Sequence, residues 1–129
     1  MAKPEQVLQI QVARYLEVTL RPPTWWSAVG HGGGGLIRGA LLKRMGVKKG
    51  VPDLLVIHPV ASAGSELGCW LVGIELKAPK GRQSPEQVAV QRAFEQAGGF
   101  YAVARSVDEV EDILRGVGVP LYSMVRRAA

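Results

Sequence analysis

Gly50-Val51-Pro52-Asp53 runs directly into the apolar stretch Leu54-Leu55-Val56-Ile57, and Leu71-Val72-Gly73-Ile74 runs into Glu75-Leu76-Lys77. Each segment sets a carboxylate beside residues patterned as a buried strand. Glu75 and Lys77 stand two residues apart, so a strand directs both to one face. Charges placed beside apolar strands are costly unless something pairs with them. A divalent cation and a nucleic-acid phosphate would do so. Glu75 and Lys77 alone would equally suit a surface ion pair. Pro52-Asp53 at the head of a second strand, with basic flanks, turns the preference toward a site.

Outward from these strands the chain alternates helical and extended patterns. Pro4 to Leu20 reads as a helix, with Pro4 at its first position, Glu5 at its positive end, and Leu8, Val12, Tyr15 and Leu16 facing the core. Arg21-Pro22-Pro23 stops it. Thr24 to Val29 reads as a strand with Trp25 and Trp26 on opposite faces, both expected to be buried or in subunit contacts rather than stacked on bases. His31 and the glycines Gly32 to Gly35 follow, read as a flexible hairpin. Leu36 to Met45 is a short helix, and Val47 to Pro52 a basic connector. Asp53 to Ile57 is a strand, Pro59 to Gly68 an exposed turn, and Cys69 to Lys77 a strand apolar enough to be central. Ser84 to Ala97 is a helix stopped by Gly98-Gly99. Phe100 to Ala104 is a strand, and Ser106 to Leu114 a helix capped by Ser106 with Glu109. Leu121 to Val125 could add an edge strand or pack on a partner subunit. The order α-β-α-β-β-α-β-α predicts an α/β fold: a single mixed sheet flanked by helices.

The chain has 129 residues, 47% hydrophobic and 21% charged, with a formal charge of +5. That suits one domain over residues 1–129 with a core of its own. The basic balance, with a pI of about 9.7, favours an anionic partner, nucleic acid being the commonest. Cys69 is the single cysteine, which excludes an intrachain disulfide. It is expected to be a small core residue in a reducing compartment. No leader and no membrane-spanning run is read, so a cytoplasmic protein of a bacterial or phage-infected cell is expected.

The chemistry that suits two acids and a lysine is phosphodiester hydrolysis. Mg²⁺ prefers octahedral oxygen coordination, usually by one or two carboxylates and several waters, and Mn²⁺ can substitute. Asp53 and Glu75 would be the carboxylates and the backbone carbonyl of Leu76 a further ligand. Lys77 would orient the water or stabilise the charge that builds on the phosphate.

Pro52-Asp53 followed by Glu75-Leu76-Lys77 resembles the PD-(D/E)xK nuclease superfamily, which has a restriction-endonuclease-like core. More narrowly, the chain resembles a stand-alone VRR-NUC (virus-type replication-repair nuclease) domain. The likeness lies in Met45-Gly46-Val47, Gly50 to Leu54, Ile74 to Lys77, Gly81 to Gln87 and Gly98-Gly99-Phe100, and runs from about Glu5 to Leu114. The resemblance implies that Asp53 and Glu75 bind metal, that Lys77 is the catalytic lysine, that Gln87 belongs to the active site, and that Glu5 contributes to the metal site. Gln87 also forms a capping box with Ser84, and Glu5 also complements its helix dipole, so both readings stand. Gln91, one turn on, shares the face of Gln87.

The cations Arg38, Lys43, Arg44, Lys48, Lys49, Lys80 and Arg82 all lead into or out of these segments, and the acids gather in Asp108, Glu109, Glu111 and Asp112. That asymmetry suggests a DNA-facing side, to which His31 could add a contact. The glycine run is not a P-loop, since no Gly-Lys-Ser/Thr follows, and a structural zinc site is unsupported. The expectation is an Mg²⁺-dependent endodeoxyribonuclease. The resemblance further implies a homodimer acting on branched or junction DNA in replication or repair. The alternative is a non-catalytic DNA-binding module on a nuclease fold.

Overall fold

The computed structural model describes residues 3–29, 35–61 and 67–122. Its elements are α1 (Pro4–Thr19), β1 (Trp25–Ala28), α2 (Gly35–Arg44), β2 (Leu54–Ala61), β3 (Leu67–Leu76), α3 (Pro85–Gln96), β4 (Phe100–Ala104) and α4 (Val107–Val117). This is the order expected from the sequence. The sheet runs β1-β2-β3-β4. The first three strands are antiparallel, and β4 joins β3 in parallel. A parallel pairing needs a crossover, and α3 supplies it.

The two faces of the sheet are used differently. On one face Leu54, Val56, Val72, Ile74, Leu76 and Ala104 meet Leu8, Val12, Tyr15 and Leu16 of α1 and Val110 and Leu114 of α4. The α1 residues recur at helical spacing, which is why a single stripe of that helix is buried. On the other face Gly73 lets Pro52 and Phe94 approach, since a Cβ there would sit 2.7 Å from Pro52 Cγ and 3.1 Å from Phe94 Cζ. The strand register places Glu75 and Lys77 on this second face.

Several expectations change. The β2–β3 hairpin is longer than read: Pro59 pairs with Cys69 and Ala61 with Leu67, and the residues between those two lie outside the described residues. Cys69 is exposed rather than buried. The β4 register begins at Val72, so the outer part of β3 lies beyond the cover of its second neighbour. Trp26 packs against the core, but Trp25 is 56% exposed. Alternation sends Trp25 to the face away from α1 and α4. α2 buries no side chain, and Leu36 and Ile37 are 93% and 90% exposed. α4 runs one turn further than expected and ends at Gly118 with φ +92°. Leu121 forms a lone bridge with Leu20, and Ser123 to Val125 lie outside the described residues. No helix among the described residues is long and apolar enough to cross a membrane.

Candidate active site

Asp53 directly precedes β2. Because Leu54 pairs with Ile74, one further step of the antiparallel register brings Asp53 opposite Glu75. Asp53 Oδ2 accepts the Leu76 N–H at 2.7 Å, and the Asp53 carbonyl accepts the Val29 N–H at 2.9 Å. Asp53 is therefore pinned from both sides. In a strand, the N–H and C=O of one residue point to the same edge. The Leu76 carbonyl thus lies along the edge that Asp53 occupies, whereas the Lys77 N–H turns the other way, to the Ala104 carbonyl at 3.0 Å.

Glu75 is 3% and Lys77 9% exposed. Lys77 Nζ lies 4.0 Å from Glu75 Oε1. The same oxygen accepts Gln87 Nε2 at 2.8 Å. Gln87 is also the third residue of α3, where its Oε1 accepts the Ser84 N–H at 2.8 Å and its own N–H donates to Ser84 Oγ at 3.1 Å. One side chain thus closes a capping box and holds the buried acid. The cap fixes where α3 begins, and so fixes where the amide of Gln87 points. Gly50, with φ +88°, lies against the backbone of Glu86 and Gln87, locking the connector before Asp53 onto the start of α3.

Burial, then the charge and hydrogen bond of Asp53, pushes the Glu75 carboxyl up to about 8. Lys77 pulls it down and Glu5 adds to the rise. Two carboxylates close enough to disturb each other are a donor pair of the kind a divalent cation uses. The donor set fits Mg²⁺, which is usually held by one or two carboxylates with further oxygens: two carboxylates and an adjacent strand carbonyl. Among the described residues no three of His, Cys, Asp and Glu gather into one metal-ligand group, so Asp53 and Glu75 stand as a pair. Glu5 is drawn toward the site from α1, its Oε1 3.5 Å from the Ala78 N–H just beyond Lys77. Glu5 also stands in the first turn of its helix.

The raised carboxyl sets a pH dependence. Folded Glu75 keeps a proton that the unfolded chain releases from pH 4.5 upward, so metal-free stability falls as pH rises from 4.5 to about 8. Thermal unfolding across that window should show the decline, Glu75→Gln should flatten it, and Mg²⁺ should restore more stability at the alkaline end. A metal-free midpoint no lower at pH 8 than at pH 4.5, or unaffected there by Mg²⁺, would contradict this.

The exposed basic residues are carried by three segments. Lys80 and Arg82 are exposed on the loop that links β3 to α3. Lys48 and Lys49 are exposed on the connector into Asp53, Lys48 beside an apolar cleft lined by Val51, Pro52, Leu55, Val90 and Phe94. Arg38, Lys43 and Arg44 are exposed along α2. His31 and Gly32 to Gly34 lie outside the described residues. Three contributors escaped sequence reasoning. Arg105 donates to the Gly81 carbonyl at 2.9 Å, bracing the Lys80–Arg82 loop. Tyr101, in parallel register with Gly73, directs its hydroxyl to Glu75 Oε2 at 3.5 Å. Burial first, then the charge of Glu75, pushes that phenol up to about 12. Gln83 reaches both Tyr101 and Gln91, the latter at 3.0 Å. The only sequence signal was the tyrosine's place on a strand that had to lie beside β3.

The VRR-NUC domain model matches residues 29–108. A solved VRR_NUC domain protein superposes with a TM-score of 0.64 at 22% identity, covering 90% of this chain and 88% of its own. A second solved VRR_NUC domain gives 0.52 at 17% identity, covering 88% and 97%. No curated protein matches the chain.

Proposed function

The chain belongs to the VRR-NUC domain family, a nuclease-type domain on a restriction-endonuclease-like fold, and from that premise we propose that it is a metal-dependent endodeoxyribonuclease. The observation that carries this reading is the convergence of half-buried Asp53 and Gln87 with buried Glu75 and Lys77 at the sheet's second face. Asp53 and Glu75 would hold Mg²⁺, or Mn²⁺ in its place, with the Leu76 carbonyl and Glu5 as further contributors. Bound there, the metal supplies Lewis-acid polarisation of the phosphate and a water of lowered pKa.

The chain's own groups do the rest. Gln87 keeps Glu75 from rotating, and the Leu76 N–H does the same for Asp53. The Lys77 ammonium, within reach of Glu75, faces the charge that builds on the phosphoryl oxygens and needs no reorganisation to do so. The buried floor excludes bulk water, which strengthens each of these interactions.

DNA is the substrate class that suits the basic rim. We extend the proposal to branched or junction DNA and a homodimer in replication or repair, as the family likeness suggests. Incubation of the purified protein with linear, nicked, flapped and four-way DNA, with Mg²⁺, Mn²⁺ or EDTA, tests it. Cleavage confined to the metal-containing samples, and greatest on the branched forms, is the expected result. Metal-independent retention without product would make the chain a non-catalytic binding module instead. Neutralising Lys48 and Lys49 together should weaken DNA binding and reduce the salt slope of log K by roughly 2, about 0.9 per lost phosphate contact. An unchanged slope would remove both from the interface.

A further inference from the structure

Glu75 is the most constrained acid of the site, and its two oxygens are held by different elements. Oε1 is taken from the α3 side by Gln87, at 2.8 Å, with Lys77 at 4.0 Å. Oε2 faces β4, where the Tyr101 hydroxyl lies 3.5 Å away. Tyr101 is 8% exposed. Its ring packs edge-on against Phe94 of α3, with centroids 6.0 Å apart and planes at 73°. The ring is therefore fixed independently of the hydroxyl.

A phenol can donate or accept, and its neighbours decide which. The Gln83 amide, which donates to Gln91 Oε1 at 3.0 Å, neighbours the tyrosine hydroxyl. Glu75 Oε2 is a carboxylate oxygen and accepts, so in this contact the Tyr101 hydroxyl is the donor. At 3.5 Å this contact is long for an O–H···O bond, and bonds to a fully charged carboxylate are shorter.

We propose that Tyr101 is a positioning residue of the metal site: Gln83 orients its hydroxyl toward Glu75 Oε2, which fixes the rotation of that carboxylate and leaves its free lone pairs facing Asp53. Groups that orient a ligand from behind commonly change metal affinity 10–100-fold when removed. This rests on the nuclease reading above.

The test is direct titration of Mn²⁺ into the metal-free protein, followed by the ion's paramagnetic signal, for wild type, Tyr101→Phe, Gln83→Met and Glu75→Gln. Tyr101→Phe keeps the ring against Phe94. It should raise the Mn²⁺ Kd about tenfold and lower cleavage at limiting metal, with most of the loss recovered at saturating metal. Gln83→Met, which leaves β4 untouched, should shift the Kd in the same direction. A purely structural tyrosine would instead lower the melting temperature and leave the Kd alone. An unchanged Kd in Tyr101→Phe overturns the assignment while the nuclease reading stands. Should Tyr101→Phe fail to fold, an unchanged Kd in Gln83→Met overturns it equally. Absence of Mn²⁺ binding by wild type, or its persistence in Glu75→Gln, overturns the metal site and this assignment with it.

Discussion

Glu75→Gln and Asp53→Asn each reduce DNA cleavage by about 10³-fold or more and leave DNA binding intact. Both replacements preserve shape. Glutamine can still accept from Gln87 Nε2, and asparagine can still accept the Leu76 N–H that Asp53 Oδ2 accepts now. What each removes is a negative charge that a cation needs and that its neighbouring acid resists. The same substitutions should therefore hold or raise the melting temperature of the metal-free protein near pH 8, because burial and Asp53 oppose ionised Glu75. Loss of function with no loss of stability is the pattern of acids kept for chemistry rather than for folding. Single-turnover cleavage and a melting curve on the same preparation read both quantities. Turnover close to wild type in either variant would refute the assigned acids.

Gly50→Ala is expected to be the most damaging single-methyl change. Gly50 has φ +88°, and a Cβ there would sit 2.6 Å from the carbonyl carbon and oxygen of Glu86 and 2.7 Å from the Gln87 nitrogen. The contact is with backbone at the start of a capped helix, so no side-chain rotation relieves it. A left-handed conformation and a backbone clash together cost about 2–4 kcal/mol of stability. Any relaxation must move α3, and with it the amide that holds Glu75. Gly98→Ala is the control: φ is +96° but nothing lies within 4 Å of the added methyl, so only the conformational cost of about 1–2 kcal/mol remains. Urea unfolding should rank Gly50→Ala clearly below Gly98→Ala, with activity lost only in the former. Equal destabilisation would mean that the connector and α3 are not locked together.

The sheet and the acid–lysine core were legible because their signals are local. A charged residue ending an apolar run marks the strand, and the two-residue spacing of Glu75 and Lys77 marks a shared face. Likewise Ser84 with Gln87 marks the start of α3, and in the structure the Gln87 side chain both closes that cap and bonds Glu75 Oε1. The parts that were hidden depend on register or cover. Tyr101 faces Glu75 because β4 joins β3 in parallel with Tyr101 beside Gly73, and no spacing along the chain states that offset. Cys69 and Trp25 sit in apolar text but are exposed, since alternation tells which face a residue takes and not whether anything covers it. The hairpin outruns its expected turn because the Ser, Gly and Ala composition from Pro59 to Gly68 suits a turn, whereas Pro59 lies in an eight-residue ladder beyond the reach of β4.

Crystals soaked in Mn²⁺ and measured at its absorption edge would show where a cation settles. An anomalous peak within ligating distance of both Asp53 and Glu75, absent from Glu75→Gln crystals, is the expected result. A peak elsewhere, or none at these two carboxylates in a protein that still cleaves DNA, would contradict the proposed chemistry.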